Sequence, residues 1–367
     1  MQHSERTHGY EALAASLEKI AYAYGFSTPP LVITKKQLSA QAQGKGADQH
    51  AAVSLALLSQ TTPTQTPVHL WGVFHGAKRT STVSFAIIAA RHPLGNALVL
   101  KATHALAERA GLKNATVLVS SIGDAESQRR FARELAAFFR KQIQALPEEM
   151  RNIVLDDPGL GYRHLLAVRD PLLERAPKPI DYLSENSRKT MLDALALFEA
   201  VGLPYALEPH LPSLPDTHAE LLFAIEGTDA KGIAVRIASG GRFDHFVKKE
   251  NTGESAVSMS IELSEELEMQ EPPHIPSCYV VHVGDAAKLR AFATLETLWK
   301  TNLYVGETLL ADTLREQMER AKASKTKYIL IIGQREALDG TVIVRNTATQ
   351  LQTVIPLDRL PAYVSRR

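Results

Sequence analysis

The chain has 367 residues, of which 45% are hydrophobic and 22% charged, and its formal net charge is +1. This balance is typical of a globular protein with a sizeable core, and it excludes a protein attracted as a whole to nucleic acid or to a membrane. The single cysteine, Cys278, excludes a disulfide framework and a thiolate metal cluster. The N-terminal residues lack an apolar signal segment, and no apolar run approaches about 18 residues, so we expect a cytoplasmic protein without a membrane partner.

The charges are not evenly distributed along the chain. From Ser277 to Arg367 there are 13 Lys and Arg against 9 Asp and Glu, whereas the remaining residues hold 28 against 31. A basic C-terminal segment permits RNA binding. An excess this small is equally typical of an ordinary solvated surface, so charge alone does not decide between the two.

The N-terminal third predicts a helix followed by a hairpin. Apolar residues at helical spacing predict a helix over Tyr10–Tyr24, and a short strand, Leu31–Thr34, follows a pair of prolines. Residues 40–66 are rich in Gln, Ala, Thr and Pro and are predicted to form a loop around one short helix. Two β-rich runs, Val68–Phe74 and Thr82–Ala89, then predict an antiparallel pair.

The middle of the chain predicts helices alternating with strands. Gly111 is suited to close the first of these helices, and Asp124 is suited to cap the second, which runs to Leu146. Four prolines make 147–180 an irregular segment in this prediction, with Asp156-Asp157 as an acidic turn. The predicted elements are helix Gly95–Arg109, strand Thr116–Ser120, the helix after Asp124, helix Ser184–Val201, and strands Leu221–Glu226, Gly232–Ala238 and Val257–Leu263.

An acidic, proline-rich segment separates this body from a C-terminal module. Residues 265–276 predict a linker, and strands and helices alternate after it, which indicates a mostly parallel sheet with packed helices. The predicted elements of the module are strand Cys278–Val283, helix Ala286–Lys300, strand Asn302–Val305, helix Thr308–Ser324, strand Tyr328–Ile332, the hairpin Gly340–Asn346 with Gln352–Pro356, and a final turn, Leu357–Tyr363.

One stretch, Ser239-Gly240-Gly241-Arg242-Phe243-Asp244, combines residue types that suit a ligand site. Glycine has no Cβ and tolerates positive φ, so backbone at this position can approach a ligand closely. The guanidinium of Arg242 offers a planar donor fork to a carboxylate or phosphate. A double glycine before a charged pair is also common in plain turns. The choice between a ligand site and a turn therefore depends on the neighbouring motifs.

The order of several such motifs resembles histidyl-tRNA synthetase over most of the chain. Tyr24-Gly25-Phe26 with Pro29 is similar to the dimer-forming opening of class II synthetases, and 176–183 is similar to the segment before the family's mid-domain helix. Residues 239–244 resemble the family's Gly-Gly-Arg-Tyr-Asp. In the C-terminal module, 321–328 leading into 332–336 is similar to the anticodon-binding domain.

This resemblance implies an α+β fold. Residues 1–270 would form a class II synthetase-like antiparallel sheet flanked by helices, 265–276 a linker, and 277–367 a small α/β anticodon-binding-like domain. The resemblance also implies a homodimer formed through the N-terminal helix and first strand.

The positions that would carry catalysis in this family hold other residues here. Class II aminoacyl transfer uses two arginines to neutralise the reacting phosphates. Phe74-His75 stands where the family has Phe-Arg, and Glu265 stands where its last motif ends in arginine. At about 4 Å, replacing an attractive charge by a repulsive one changes the interaction by several kcal/mol even at a dielectric of about 20.

The family's histidine-recognition motif is altered in the same way. Leu211–Ala219 aligns with it, but its arginine is replaced by Ser213 and its two tyrosines by Thr217 and His218. Asp216 is the one motif residue that matches. A site for histidine would then lack partners for the ligand's buried polar atoms.

We therefore expect a paralogue without aminoacylation activity, with no catalytic residues, no metal and no cofactor. It would retain a degenerate pocket and an RNA-binding C-terminal module. The pocket residues are Asp216, Gly240, Gly241, Arg242 and Asp244. The expected phosphate contacts are Lys322, Lys325, Lys327, Arg335 and Arg345, and the expected base contacts are Gln334 and Glu336.

Two other functions stay open at this point. The first is an active histidine–tRNA ligase with a divergent site, which would need ATP and Mg²⁺. The second is a regulatory subunit of a metabolic enzyme, such as the synthetase-like partner of ATP phosphoribosyltransferase. The expected partners are accordingly tRNA or another RNA, a second copy of the chain, and a partner enzyme or synthetase.

Overall fold

The computed structural model describes residues 13–14, 16–26, 30–42, 48–76, 80–214, 216–264, 275–301, 303–311 and 313–365. These residues form a mixed α+β protein with one large and one small sheet. The predicted fold class is therefore confirmed. No helix among the described residues is long and apolar enough to cross a membrane.

The larger sheet is antiparallel through its centre. Its strands are β1 (Leu31–Val32), β2 (Val68–His75), β3 (Ser81–Ile88), β4 (Lys113–Gly123), β5 (Tyr205–Leu207), β6 (Ala219–Thr228), β7 (Ala234–Arg242) and β8 (Ala256–Leu263). Their spatial order is β1-β2-β3-β8-β7-β6-β4-β5. Only the outermost pairs are parallel, namely β1 with β2 and β4 with β5.

Helices cover this sheet and form a separate bundle beside it. The first helix, α1, comprises residues 13–14 and 16–23. The others in the body are α2 (Lys35–Ala42), α3 (Gln49–Leu58), α4 (Leu94–Arg109), α5 (Ala125–Gln142), α6 (Glu148–Asp156), α7 (Pro158–Val168), α8 (Glu185–Ala200) and α9 (Asp244–Lys249). Three short 3₁₀ segments, Ile143–Ala145, Pro171–Arg175 and Pro179–Tyr182, join them. The bundle of α5, α6 and α7 has its own small apolar core.

The central strands contribute to two cores, because successive side chains of a strand point to opposite faces. Trp71, Phe85 and Met259 lie on one face and join a core with α1, α4 and α8. Phe74 and Ala86 lie on the other face and join a second core with α3. Helices therefore cover both faces of the central strands.

The local signals in the sequence predict several elements well. The hairpin of β2 and β3 is confirmed, and Gly111, at φ +93°, follows α4 as predicted. Asp124 caps α5 by accepting a hydrogen bond from Ser127 N at 2.9 Å. Ser184 caps α8 in the same way.

Two segments contain more helix than predicted. The predicted loop over 40–66 does contain its one helix, α3, but α2 also extends into this segment. The segment 147–180 was predicted to be irregular, which is wrong, because it forms α6 and α7. Asp157 accepts a hydrogen bond from Leu160 N at 2.9 Å and Pro158 occupies the first turn of α7, so this acidic turn starts a helix.

The C-terminal module has a mixed five-stranded sheet. Its elements are β9 (Cys278–His282), α10 (Asp285–Trp299), β10 (Val305–Glu307), α11 (Leu314–Ala323), β11 (Tyr328–Ile332), α12 (Gln334–Asp339), β12 (Thr341–Asn346), β13 (Gln352–Pro356), a 3₁₀ turn (Leu357–Arg359) and α13 (Leu360–Val364). The strand order is β10-β9-β11-β12-β13, with the first three strands parallel. The strand predicted at 302–305 lies later, and α12 was not predicted. Most of the predicted linker, 265–274, lies outside the described residues.

The module packs directly on the body rather than standing apart from it. Tyr24 donates a hydrogen bond to Glu296 Oε1 at 3.1 Å, and Lys101 Nζ lies 3.0 Å from the same carboxylate. The ring of Tyr24 also packs against Phe292 and Trp299. Apolar residues of both parts form one continuous core.

Candidate functional site

The glycine pair of the predicted pocket lies inside β7, where neighbouring strands approach closely. A Cβ on Gly240 would lie 2.1 Å from the carbonyl oxygen of Ser258, and one on Gly241 would lie 2.6 Å from that of Leu221. Both obstacles are backbone atoms, which cannot rotate away. Neither glycine has a positive φ. Strand packing therefore accounts for both glycines without a ligand.

Arg242 is buried and its donors are already in use. It donates to Ala90 O at 3.1 Å and to Asn96 Oδ1 at 3.2 Å, and it forms an ion pair with Asp244 at 3.0 Å. Asp244 Oδ1 in turn accepts a hydrogen bond from Ala256 N at 2.9 Å. Arg242 and Asp244 thus tie the end of β7 to the start of α4 and to β8.

Asp216 differs from the other four predicted pocket residues, because it lies in an exposed turn. Its neighbour His218 is buried, accepts a hydrogen bond from Leu214 N at 2.9 Å and packs on the ring of Phe243. Burial lowers the pKa of His218 to about 3, with a smaller contribution from His245. The structure therefore groups Gly240, Gly241, Arg242 and Asp244 but leaves Asp216 at the surface.

The two central strands have almost no accessible surface. All eight residues of β3 are 0% exposed. In β8 every residue except Glu262 is buried. Eight of the ten residues of α3, Ala51–Leu58, are buried against this sheet. A ligand could reach these strands only if α3 moved away.

The polar groups on the face beneath α3 satisfy one another. Ser54 Oγ of α3 lies 2.9 Å from Ser260 Oγ and 2.9 Å from Ser258 Oγ. Ser84 Oγ lies 3.2 Å from Ser258 Oγ and 3.0 Å from Ser260 Oγ. All four residues are 0% exposed. These hydroxyls are therefore paired inside the protein instead of facing a substrate.

Glu220 is a half-buried acid that sequence reasoning missed. Its φ of +53° is unusual for a residue with a Cβ. Its Oε1 accepts a hydrogen bond from Ser187 Oγ at 3.1 Å, whereas the buried Oε2 has no partner. Burial raises the pKa of this carboxyl, and the negative charges of Asp124 and Asp244 raise it further. No motif pointed to Glu220, because the fold alone brings these groups together.

Three of the predicted RNA-binding residues meet around one open pocket. Lys322, Lys325 and Arg345 line a cavity of about 250 Å³ together with Thr347 and Gln350. They meet because α11 ends beside the start of β11, and because Ile329 of β11 pairs with Arg345 of β12. Lys327 lies beside this group, with Nζ 5.1 Å from the ring centre of Tyr328.

The other three predicted RNA-binding residues, Gln334, Arg335 and Glu336, lie on α12 at the opposite end of β11. Five strand residues separate the two groups by about 13 Å at the usual rise per residue. Glu336 accepts a hydrogen bond from Gly333 N at 3.0 Å, and Arg335 pairs with Asp339 at 3.4 Å. The predicted set is therefore two separate groups, and only the first surrounds a pocket.

Comparisons with known proteins agree with this architecture. Residues 277–367 match the anticodon binding domain family. The chain is 30% identical over 268 residues to histidine–tRNA ligase of Paraburkholderia phytofirmans, an alignment that covers 69% of this chain and 59% of that protein. The same enzyme of Bacillus cytotoxicus is 27% identical over 270 residues, covering 70% of this chain and 63% of the relative.

A solved structure shares the fold. The apo crystal structure of S. aureus histidyl-tRNA synthetase superposes with a TM-score of 0.52 at 19% identity, covering 98% of this chain and 96% of that one. The protein thus has a synthetase-like fold with a C-terminal anticodon-binding domain. It is similar to histidyl-tRNA synthetases, and it spans 59% to 63% of the length of the two curated relatives described above. Among the described residues, no cluster of three or more His, Cys, Asp or Glu side chains is placed to hold a metal ion.

Proposed function

We propose that this chain binds tRNA or another RNA through its C-terminal domain and does not aminoacylate. The proposed lack of aminoacylation rests on the complete burial of β3 together with the near-complete burial of β8. The first aligned phosphate-binding motif runs from the end of β2 into β3, and the described part of the second runs along β8. Phosphate activation requires donors placed around an accessible pocket, and α3 occupies one face while α4 covers the other.

The residues around these strands support the same conclusion. His75, at the aligned arginine position, ends β2 and has a buried Nδ1 without a hydrogen-bond partner. An imidazole lacks the permanent charge and the five-donor fork with which a guanidinium binds a phosphate. Arg242 is the arginine of the retained Gly-Gly-Arg motif, and its donors already bind Ala90, Asn96 and Asp244. We infer that the body serves as a scaffold.

The basic pocket supports the RNA-binding half of the proposal. Lys322 and Lys325 are exposed, and Arg345 joins them from the neighbouring strand. Such cations bind phosphate oxygens by displacing counterions. The logarithm of the binding constant should therefore fall linearly with the logarithm of the salt concentration. The match of residues 277–367 to anticodon-binding domains supports tRNA as the first RNA to test.

The catalytic half is tested by ATP–pyrophosphate exchange with histidine and Mg²⁺. We expect no exchange above a blank without enzyme, because the strands that would hold ATP are sealed. Measurable histidine-dependent exchange would instead establish an active ligase with ATP and Mg²⁺ as its cofactors. A histidine–tRNA ligase measured in parallel confirms that the assay works.

The RNA-binding half is tested by fluorescence anisotropy with labelled tRNA at several salt concentrations. The variant carries Lys322→Glu, Lys325→Glu and Arg345→Glu. We expect a loss of at least about 30-fold in affinity, because three attractive charges become repulsive. The control carries Lys36→Glu, Lys113→Glu and Lys189→Glu, which change the net charge equally at exposed sites outside the pocket. Equal affinities of the two triple variants would reject this surface.

We also propose that the chain forms a homodimer through its N-terminal edge. Among the residues that the structure describes, strand β1 pairs with β2 alone, and its Val32 is 63% exposed. An apolar edge strand of this kind favours pairing with another chain. Sedimentation velocity should then show a species of twice the 40.2 kDa monomer mass, and a monomer at all concentrations would argue against a dimer.

A further inference from the structure

A cavity of about 480 Å³ lies between the body and the C-terminal domain. The start of β2 forms one wall, and β10 with the end of α11 forms the other. Its polar lining residues include Thr66, His69, Glu307, Thr308, Arg320 and Ser324. Both parts of the chain therefore contribute to one pocket, whose volume is in the range of small-molecule sites.

Two buried polar atoms of this lining lack a hydrogen bond of good geometry to any residue that the structure describes. His69 Nδ1 makes no hydrogen bond, and the nearest acidic oxygen, Glu307 Oε1, is 3.8 Å away, which is too far for one. Thr308 is 5% exposed, and its Oγ1 is also unpaired. Unsatisfied buried polar atoms are rare in native proteins, and a bound water, ion or ligand is the usual reason for them.

The charges around the cavity favour an anion. Arg320 uses one of its five donors on Glu316 Oε1, at 2.7 Å, and its side chain is 44% exposed at the cavity. Burial lowers the pKa of His69 to about 4, so this ring is neutral at pH 7. Burial also raises the pKa of Glu307 to about 7, so that carboxyl holds a proton in much of the population. The permanent charge facing the cavity is therefore positive.

The remaining lining is largely apolar, with Val68 and Pro67 on one wall and Leu310 and Ala323 on the other. From this combination we propose that the cavity binds a small organic anion, whose carboxylate or phosphate pairs with Arg320 while its apolar body contacts Val68 and Leu310. This ligand bridges the two parts of the chain. The site is separate from the basic pocket at β11, so it does not depend on RNA binding.

Glu307 makes this binding depend on pH. An anion beside Glu307 is stable when the carboxyl is protonated and is repelled when it is ionised. The groups that face Glu307 are His69 from β2, Arg320 from α11 and Tyr279 from β9, whose hydroxyl donates to Glu307 O at 3.0 Å. Binding that requires the protonated form should weaken about tenfold between pH 6 and pH 8.

The test is isothermal titration of the full chain with benzoate and with phenyl phosphate, which carry the two anionic groups on the same ring. We expect one of them to bind and its affinity to fall at least tenfold in Arg320→Gln. Arg315→Gln is the matched control, because it removes an exposed arginine of the same helix with an equivalent i,i+4 partner. In Glu307→Gln, binding should persist and lose its pH dependence.

The proposal is overturned if neither probe binds, or if Arg320→Gln binds as tightly as the unmodified chain. Both arginines are solvent-accessible, so neither substitution should unfold the protein, which circular dichroism will verify. The tRNA affinity of Arg320→Gln should stay unchanged. Its loss, with probe binding intact, would assign Arg320 to the RNA surface and would likewise overturn the proposal.

Discussion

The two sheets use their polar residues in opposite ways. On β3 and β8 most polar groups are buried and bind one another, as with Ser84 and Ser260, and Arg242 at the end of β7 is buried against Asp244. At the start of β11 the polar groups are cations that remain exposed around a pocket, as with Lys322 and Lys325. Most polar groups of these central strands are paired inside the protein, whereas the lysines at the start of β11 stay exposed to solvent.

This difference shows that a residue can match a catalytic motif for structural reasons. Gly240 and Gly241 are required by the approach of neighbouring strands, and Arg242 holds the chain segments around it. Their presence is therefore compatible with a protein that binds no substrate at this sheet. Lys322 and Lys325 instead remain exposed around a pocket, which is compatible with the RNA contacts proposed for them.

The largest effect is expected from removing the arginine inside the body. Arg242→Gln should destabilise the protein by about 3–5 kcal/mol, because Asp244 loses its ionic partner and Ala90 O loses its donors. Urea unfolding measures the change. Arg236→Gln is the control, since that arginine is more exposed and lies 3.7 Å from Glu226, and it should change stability by less than about 1 kcal/mol. A small effect of Arg242→Gln would mean that this arginine is free for a ligand.

A slightly smaller effect is expected from truncating the helix that seals the sheet. Leu55 of α3 is 0% exposed, so Leu55→Ala should lower the free energy of unfolding by about 2–5 kcal/mol. Leu155→Ala, at a leucine that is 60% exposed, should change it by less than about 0.5 kcal/mol. If Leu55→Ala were harmless and the variant gained ATP binding, α3 would be a removable lid over a working site.

The sequence predicts the elements that local signals determine. The hairpin of β2 and β3, the cap at Asp124 and the helix α4 all follow from spacing and capping chemistry. The full role of α3 does not, because a helix buried almost all round lacks the amphipathic pattern by which helices are recognised. The prolines of 147–180 predict interruptions, whereas in the structure Pro158 and Pro171 begin helical turns.

The candidate sites were predictable only as sets of residue types. Seven residues of the C-terminal domain suited RNA, but the pairing of Ile329 with Arg345 decides which of them meet. The surroundings of Glu220 and the proximity of His69 to Glu307 depend on contacts between segments that are distant in sequence. Periodicity and composition carry no information about such contacts.

The junction between the two sheets gives a pH-dependent prediction. The pKa of Glu307 is raised by burial from 4.5 to about 7. The folded state therefore keeps a proton that the unfolded state releases above about pH 4.5, so stability falls as pH rises towards 7 and stays low above it. Burial lowers the pKa of the neighbouring His69 to about 4. This ring therefore affects stability only below about pH 6.5, where acidification destabilises the fold.

Replacing the carboxyl of Glu307 isolates its contribution to the pH dependence of stability. At pH 8, Glu307→Gln should be more stable than the unmodified chain by up to about 3 kcal/mol, and the gain should shrink towards zero near pH 5. Thermal or urea unfolding at both pH values measures it. Glu319→Gln, at an exposed carboxylate of α11, is the control and should show no such pH-dependent gain. A gain that is equal at both pH values would show that Glu307 is ionised in the folded protein.

The smallest effect distinguishes the two groups of predicted RNA contacts. Lys325→Gln should weaken tRNA binding about threefold to tenfold and lower the salt dependence by about one phosphate contact, because Lys325 lines the basic pocket. Arg335→Gln should change affinity by less than about twofold, because Arg335 pairs with Asp339 at the other end of β11. Both substitutions remove one positive charge, so an equal loss in both would mean that RNA responds to the overall charge of the domain. A larger loss of affinity in Lys325→Gln than in Arg335→Gln locates the contact at the start of β11.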